Sequence, residues 1–239
     1  MCGRYTSVTP TAVLARYFAV DEVVAEELGP RYNVAPTEEV YAVARHGATT
    51  RLGAVRWGLI PSWADDPRIG ARMINARAES VSDRPVFRSA FTRRRCLLPA
   101  DGFYEWKTVP GRSTRQPWYV RQRDGRPLAF AGLWESWRPR GVDGGREEER
   151  IVSATIVTTT ANEALADLHY RMPVVLSPDA WDAWLDPANA DVDALQQLLI
   201  PAPARDFELA PVRPLVNNVA NEGPELVEPA ARTPAPEPA

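Results

Sequence analysis

The chain has 239 residues, 45% of them hydrophobic, and a formal net charge of -3, an ordinary composition for one large globular domain with its own core. No run of 18 or more apolar residues occurs, which excludes a membrane-spanning helix, and Met1-Cys2-Gly3-Arg4-Tyr5 lacks the apolar stretch of a secretory signal, so a cytoplasmic protein is expected. Two cysteines, Cys2 and Cys96, and two histidines, His46 and His169, are too few for a disulfide framework or a zinc site; neither metal nor cofactor is expected.

In chain order, Thr9-Pro10 reads as an N-cap and first helical position, and Val13, Leu14, Tyr17 and Phe18 recur at helical spacing. Val40 to Val43 and Leu52 to Trp57 read as two strands joined around Gly47. Leu97-Leu98, Phe103 to Lys107, Pro117 to Arg121, Leu128 to Trp134 and Ile151 to Thr159 are further strands, punctuated by Gly102, Gly111 and Gly125. The polar stretch from Arg138 to Arg150 is expected to be a surface loop. Ala161 to Leu168 reads as helical. Ser177-Pro178 opens another helix with Trp181, Trp184 and Leu185 on its apolar side, and Val192 to Leu199 gives one more. Phe207 to Val212 is the last strand. Strands outnumber helices without βαβ alternation, so the expected fold is α+β, a single domain over residues 1–222 with a mainly antiparallel, barrel-like sheet and several short helices. Residues 223–239, rich in proline and alanine, are expected to be a disordered tail.

Charge is unevenly distributed. Between Asp66 and Lys107 nine cations face five anions, and nearly all the cations are arginine, whose planar fork suits phosphate oxygens. A solvated surface explains the same residues equally well.

Cys2 raises a chemical question. Removal of Met1 would leave a residue with two nucleophiles on adjacent carbons, the α-amine and the thiol. The α-amine has a reference pKa of about 7.7–8.0, so a useful fraction is neutral near pH 7 and able to condense with an aldehyde. The adjacent thiol can then close a five-membered thiazolidine ring. The plainer reading is a cysteine that happens to follow Met1. Gly3 would let a substrate approach the backbone closely, and Arg4 would neutralise a neighbouring phosphate.

Further segments accompany Cys2-Gly3-Arg4-Tyr5: Pro30 to Pro36 (PRYNVAP), Arg56 to Trp63 (RWGLIPSW), Ile74 to Glu79 (INARAE), Phe103 to Lys107 (FYEWK) and His169 to Pro173 (HYRMP). As an ordered set running from Cys2 to about Asn221 they resemble the SRAP family, the SOS response-associated peptidase or abasic-site-processing proteins. The resemblance implies a mixed domain with a barrel-like sheet, a channel for single-stranded DNA, and covalent capture of abasic sites through Cys2. It also implies Asn75, Glu105 and His169 as companions of Cys2.

Chemistry offers each companion a role and a plainer alternative. The Asn75 amide can hold the amine or the opened sugar, or simply sit in a turn. Glu105, between Tyr104 and Trp106, is expected to be desolvated by these aromatics and to move protons, unless it pairs with Lys107 or Arg77. His169 can pass a proton in either direction, or cap the helix from Ala161. Cys96 reads as a buried, inert thiol and His46 as a surface residue. Arg4, Arg77 and Arg88 are the expected phosphate contacts. Among Trp57, Trp63, Trp106, Trp118, Trp134 and Trp137, Trp63 is the expected base-stacking residue. The expected partner is single-stranded DNA with an abasic site, bound by a nucleoid-associated monomer. Two rivals stand beside capture: a peptidase with an N-terminal cysteine nucleophile, and a passive single-strand-binding module.

Overall fold

The computed structural model describes residues 2–111, 113–139 and 150–230. The strands are β1 (Tyr5–Ser7), β2 (Glu22–Val23), β3 (Arg31–Val34), β4 (Glu39–His46), β5 (Thr49–Trp57), β6 (Asn75–Arg77), β7 (Arg95–Ala100), β8 (Gly102–Lys107), β9 (Gln116–Gln122), β10 (Leu128–Trp137), β11 (Ile151–Thr160), β12 (Arg171–Pro173) and β13 (Phe207–Pro211). The helices are α1 (Thr11–Tyr17), α2 (Pro85–Arg93), α3 (Pro178–Leu185) and α4 (Val192–Gln197). This is the α+β arrangement expected, and no described helix is long and apolar enough to cross a membrane.

The β4–β5 hairpin turns on Gly47, whose φ of 58° suits a tight two-residue connection. Strands β5, β4, β7, β10 and β11 then pair in that order by antiparallel ladders. A short parallel pairing of β11 with β5, Ala154 opposite Trp57, closes them into a five-strand ring. A second sheet, ordered β13-β9-β8-β1-β3, is antiparallel throughout.

Alternation along the ring strands builds two cores, because successive side chains leave opposite faces. On β10, Leu128 and Phe130 join Tyr5, Val34 and Phe103 from the second sheet. Ala129, Ala131 and Leu133 instead join Leu14, Phe87, Phe91 and Trp184 from the helices. With both faces covered, every residue of β7 is buried, and Cys96 lies in the first core as an enclosed thiol. His46 is exposed at the hairpin.

Four expectations need correction. Thr9 does not cap α1: its hydroxyl donates to the Asp101 carboxylate, and Pro10 holds the cap position without a side-chain bond. Ala161 to Leu168 is a series of turns. The Asn162 side chain accepts from Ala164 N and Leu165 N as a helix cap does, but the backbone bonds that follow alternate between three-residue (Leu168 N to Leu165 O) and four-residue steps (Ala166 N to Asn162 O, His169 N to Leu165 O), so no continuous helical ladder forms. Helix α2 was not expected, since its arginines hide the apolar stripe of Phe87, Ala90 and Phe91. The fold also extends beyond residue 222. Pro224–Leu226 form a 3₁₀ turn, Leu226 is fully buried, and Ala230 N donates to Pro211 O. One buried leucine suffices to dock a stretch whose composition reads as disordered. Residues 231–239, and most of the expected 138–150 loop, lie outside the described residues.

Leu226 is fully buried in the turn beyond Gly223, beside Val227, which packs against Tyr104, Val212 and Val216. Replacing Leu226 with alanine is expected to cost roughly 2–5 kcal/mol, and truncation after Gly223 at least as much. Urea unfolding checks this: an unchanged midpoint would place Leu226 outside the cooperative unit.

Candidate active site

Cys2 is positioned by the strand that follows it. β1 pairs with β8 on one edge (Tyr5 opposite Phe103) and with β3 on the other. Tyr104 N donates to Arg4 O at 3.0 Å, carrying the ladder one step toward the terminus. Continuing that register sets Gly3 opposite Glu105. Because side chains alternate, Glu105 leaves β8 on the same face as Phe103, which shares a core with Cys2. Asn75 arrives on β6, which lies against β11 with Ile156 opposite Asn75. Its Nδ2 donates to the Cys2 carbonyl at 2.9 Å, while its buried Oδ1 has no hydrogen-bond partner among the described residues. Trp57 Nε1 donates to Ile74 O at 3.0 Å and fixes the residue just before.

Burial dominates the electrostatics. Cys2 is fully enclosed, and its thiol is pushed well above its ordinary pKa, first by desolvation and then by the nearby Glu105 charge, with the terminal positive charge opposing. Glu105 is itself raised by burial, against the pull of the terminal charge, a hydrogen bond with it, and the Trp106 N–H. The aromatics expected to desolvate Glu105 lie on the reverse face, with Tyr104 and Trp106 packed around Val212 and Val216. Alternation along β8 is the reason. Lys107, one expected partner, pairs instead with Asp167 at 3.6 Å, and Arg77 is solvent-exposed.

His169 sits in the turn before β12. Its pKa is lowered by burial and by the terminal positive charge, and the backbone bond at Arg171 only partly opposes this. Nδ1 lies 2.9 Å from Arg171 N and 3.3 Å from Arg171 O, so the ring is tied to the Arg171 backbone. No helix precedes it to be capped. The terminal charge thus acts on Cys2, Glu105 and His169 alike, and Asn75 bonds the first of them.

Two features escaped sequence reasoning. Buried Arg171 grips Glu79 through both carboxylate oxygens, at 2.6 and 2.9 Å, and also reaches Thr158 O. This ties the segment after Asn75 to the residue that orients His169. Tyr170 stacks on His169 with ring centroids 4.5 Å apart and 24° between planes. Alternation from His169 places Arg171 inward, but no sequence signal pairs it with Glu79.

The expected DNA contacts differ in setting. Arg4 is half-buried and committed within the fold, donating to Asn33 Oδ1 at 2.6 Å and Val216 O at 3.0 Å. Arg77 and Arg88 are exposed, on β6 and α2. Trp63 is 52% exposed. Its loop is anchored where Gly58, with φ 124°, meets Gly70 backbone to backbone; a Cβ on Gly58 would lie 2.5 Å from Gly70 O. Trp57 and Trp137 are buried, and Trp106 donates to Asn217. No group of metal-binding side chains occurs among the described residues. A cleft of about 570 Å³ between Tyr17, Trp181, Ile200 and Phe207 is lined by none of these site residues.

Residues 1–219 match the family model of the SOS response associated peptidase (SRAP). The abasic site processing protein YoqW of Bacillus subtilis is 43% identical over 230 residues, covering 95% of this chain and 99% of that protein. The abasic site processing protein YedK of Escherichia coli is 32% identical over 237 residues, covering 96% and 100%. A crystal structure of a Bacteroides thetaiotaomicron protein superposes with a TM-score of 0.82 at 21% identity, over 96% of this chain and all of that one.

The raised Glu105 pKa carries a sign. Between the ordinary carboxylate pKa and the raised folded value, the folded protein holds a proton that the unfolded chain has released, so stability falls as pH rises through that window. The loss is about 1.4 kcal/mol per unit of displacement. Urea unfolding from roughly pH 4 to 8 should show this decline in the wild type relative to Glu105→Gln. Parallel stability curves would remove Glu105 as a carboxyl with a raised pKa.

Proposed function

The chain belongs to the SRAP family, and we propose that, with Met1 removed, it captures abasic sites in single-stranded DNA as a thiazolidine on Cys2. The observation that carries this reading is the placement of Cys2: an enclosed residue whose carbonyl is held by Asn75, its thiol pushed toward the protonated form by burial. The names of the Bacillus and Escherichia relatives support it.

The order of events follows from protonation. A neutral thiol is a poor first nucleophile, so the α-amine attacks the aldehyde of the ring-opened sugar. The carbinolamine loses water to give an imine, the departing hydroxyl taking its proton from Glu105, which burial keeps available as an acid, and the nitrogen returning its own proton to the carboxylate. The thiol then adds across C=N: sulfur bonds to carbon, and the S–H proton passes to nitrogen. Asn75 Oδ1, buried and without a partner, faces this chemistry as an acceptor for the amine or a sugar hydroxyl. His169, held to the Arg171 backbone through Nδ1, is suited to assist opening of the sugar through Nε2. An imine left unclosed allows β-elimination and strand cleavage, a lyase reaction that ring closure suppresses.

The rival is a peptidase using a Cys2 thiolate. It requires the ionised thiol that desolvation by burial disfavours, and the capture reading is preferred for that reason.

Intact-protein mass spectrometry after exposure to abasic single-stranded DNA tests the mechanism. The mature protein should carry a stable adduct, while Cys2→Ala should form at most a transient imine that cuts the strand. The Met1-retaining protein should form none, and a stable adduct on it would overturn the thiazolidine. For the DNA path, Arg77→Ala should weaken binding and reduce the log–log salt slope by about 0.7, the value for one neutralised phosphate on a single strand. An unchanged slope would remove Arg77 from the interface.

A further inference from the structure

We propose that Tyr170 is a binding site for the nucleobase flanking the lesion, presenting a flat surface where base loss leaves that neighbour without a stacking partner. The inference rests on the capture reading above.

Tyr170 is 63% exposed. An isolated exposed aromatic carries no message; its setting does. One face of the ring already lies nearly parallel to the imidazole of His169 at 4.5 Å, and the terminal charge reaches that imidazole. Tyr170 is therefore the outer layer of a stack whose inner layer belongs to the active site. A base on its open face would complete a base–tyrosine–imidazole column beside the reacting sugar.

The platform is also rigid. Tyr170 O accepts from Ala161 N at 3.0 Å, His169 N donates to Leu165 O at 3.0 Å, and Arg171 N donates to His169 Nδ1 at 2.9 Å. Behind it, buried Arg171 is held by both Glu79 oxygens. A surface fixed in advance loses little freedom when a ligand settles on it. Exposed Arg77 lies within reach of the same strand of DNA. β6 and β12 both pair with Thr158 of β11, so they flank it on opposite sides, about two strand spacings or ~10 Å apart. A phosphate at Arg77 and a base on Tyr170 are thus compatible with one continuous strand. Because every base has a π face, the site should tolerate any flanking sequence.

The test uses wild-type protein, Tyr170→Ala and Tyr170→Phe, with single strands carrying a tetrahydrofuran abasic analogue that lacks the aldehyde. In one strand adenines flank the analogue; in the other the two flanking nucleotides are also tetrahydrofuran. Loss of one base–aromatic stack corresponds to roughly a five- to hundredfold loss of affinity. Tyr170→Ala should show that loss on the adenine-flanked strand only, and Tyr170→Phe should bind both like wild type. 2-Aminopurine beside the analogue should be quenched by wild type and not by Tyr170→Ala. Equal losses on both strands, no loss on either, no wild-type binding, or an unquenched 2-aminopurine with wild type would each overturn the proposal. A strand with a true aldehyde, run alongside, separates the two readings. Absence of an adduct there removes covalent capture, whereas the tetrahydrofuran comparison judges Tyr170.

Discussion

A chain terminus frays unless something holds it, and this fold depends on its first strand being held on both edges. β1 has only three residues, yet β8 and β3 flank it, and Arg4 just ahead of it is anchored to Asn33 and Val216. The residue ahead of such a strand cannot wander. The Asn75 bond to the Cys2 carbonyl then links the terminus to β6 and through it to the closed ring. Each site residue is placed by an element belonging to one of the two sheets, and the terminus lies where those sheets share a core.

That position has an electrostatic consequence. The Cys2 thiol, the Glu105 carboxyl and the His169 imidazole are all displaced toward their uncharged forms, and burial is the leading cause in each case. The terminal positive charge, carried by Met1 in the full chain, is among the causes acting on all three. A site of mostly neutral, proton-bearing groups around an amine suits a condensation that releases water. It suits chemistry begun by a thiolate poorly.

Much of the sheet was readable because strands with one polar face or a clear turn advertise themselves. The hairpin at Gly47, β8 to β11 and β13 follow alternation and glycine punctuation. Strands of two to four residues, such as β1, β3, β6 and β12, are too short for a period to appear, although β1, β6 and β12 border the site. Local pattern misled at Ala161 to Leu168, where the backbone mixes three- and four-residue turns instead of one helical ladder, and after Gly223, where the burial of Leu226 outweighs composition. At the site, residue type and motif order pointed to Cys2, Asn75, Glu105 and His169. They did not reveal that Arg4 would be consumed in holding the fold, or that Tyr104 and Trp106 would face away from Glu105. Those facts depend on register and long-range contacts, which a linear reading lacks.

The supports of β1 also have an order in time. Asn33 arrives early, but β8 and the Val216 carbonyl lie far downstream in the chain. On a ribosome adding about 5–20 residues per second, tens of seconds separate emergence of the first residues from emergence of the last brace. During that interval the N-terminus hangs from an unfinished fold, open to the processing enzymes that meet nascent chains. The anchoring of Arg4 to the Val216 carbonyl thus waits until nearly the whole chain has emerged.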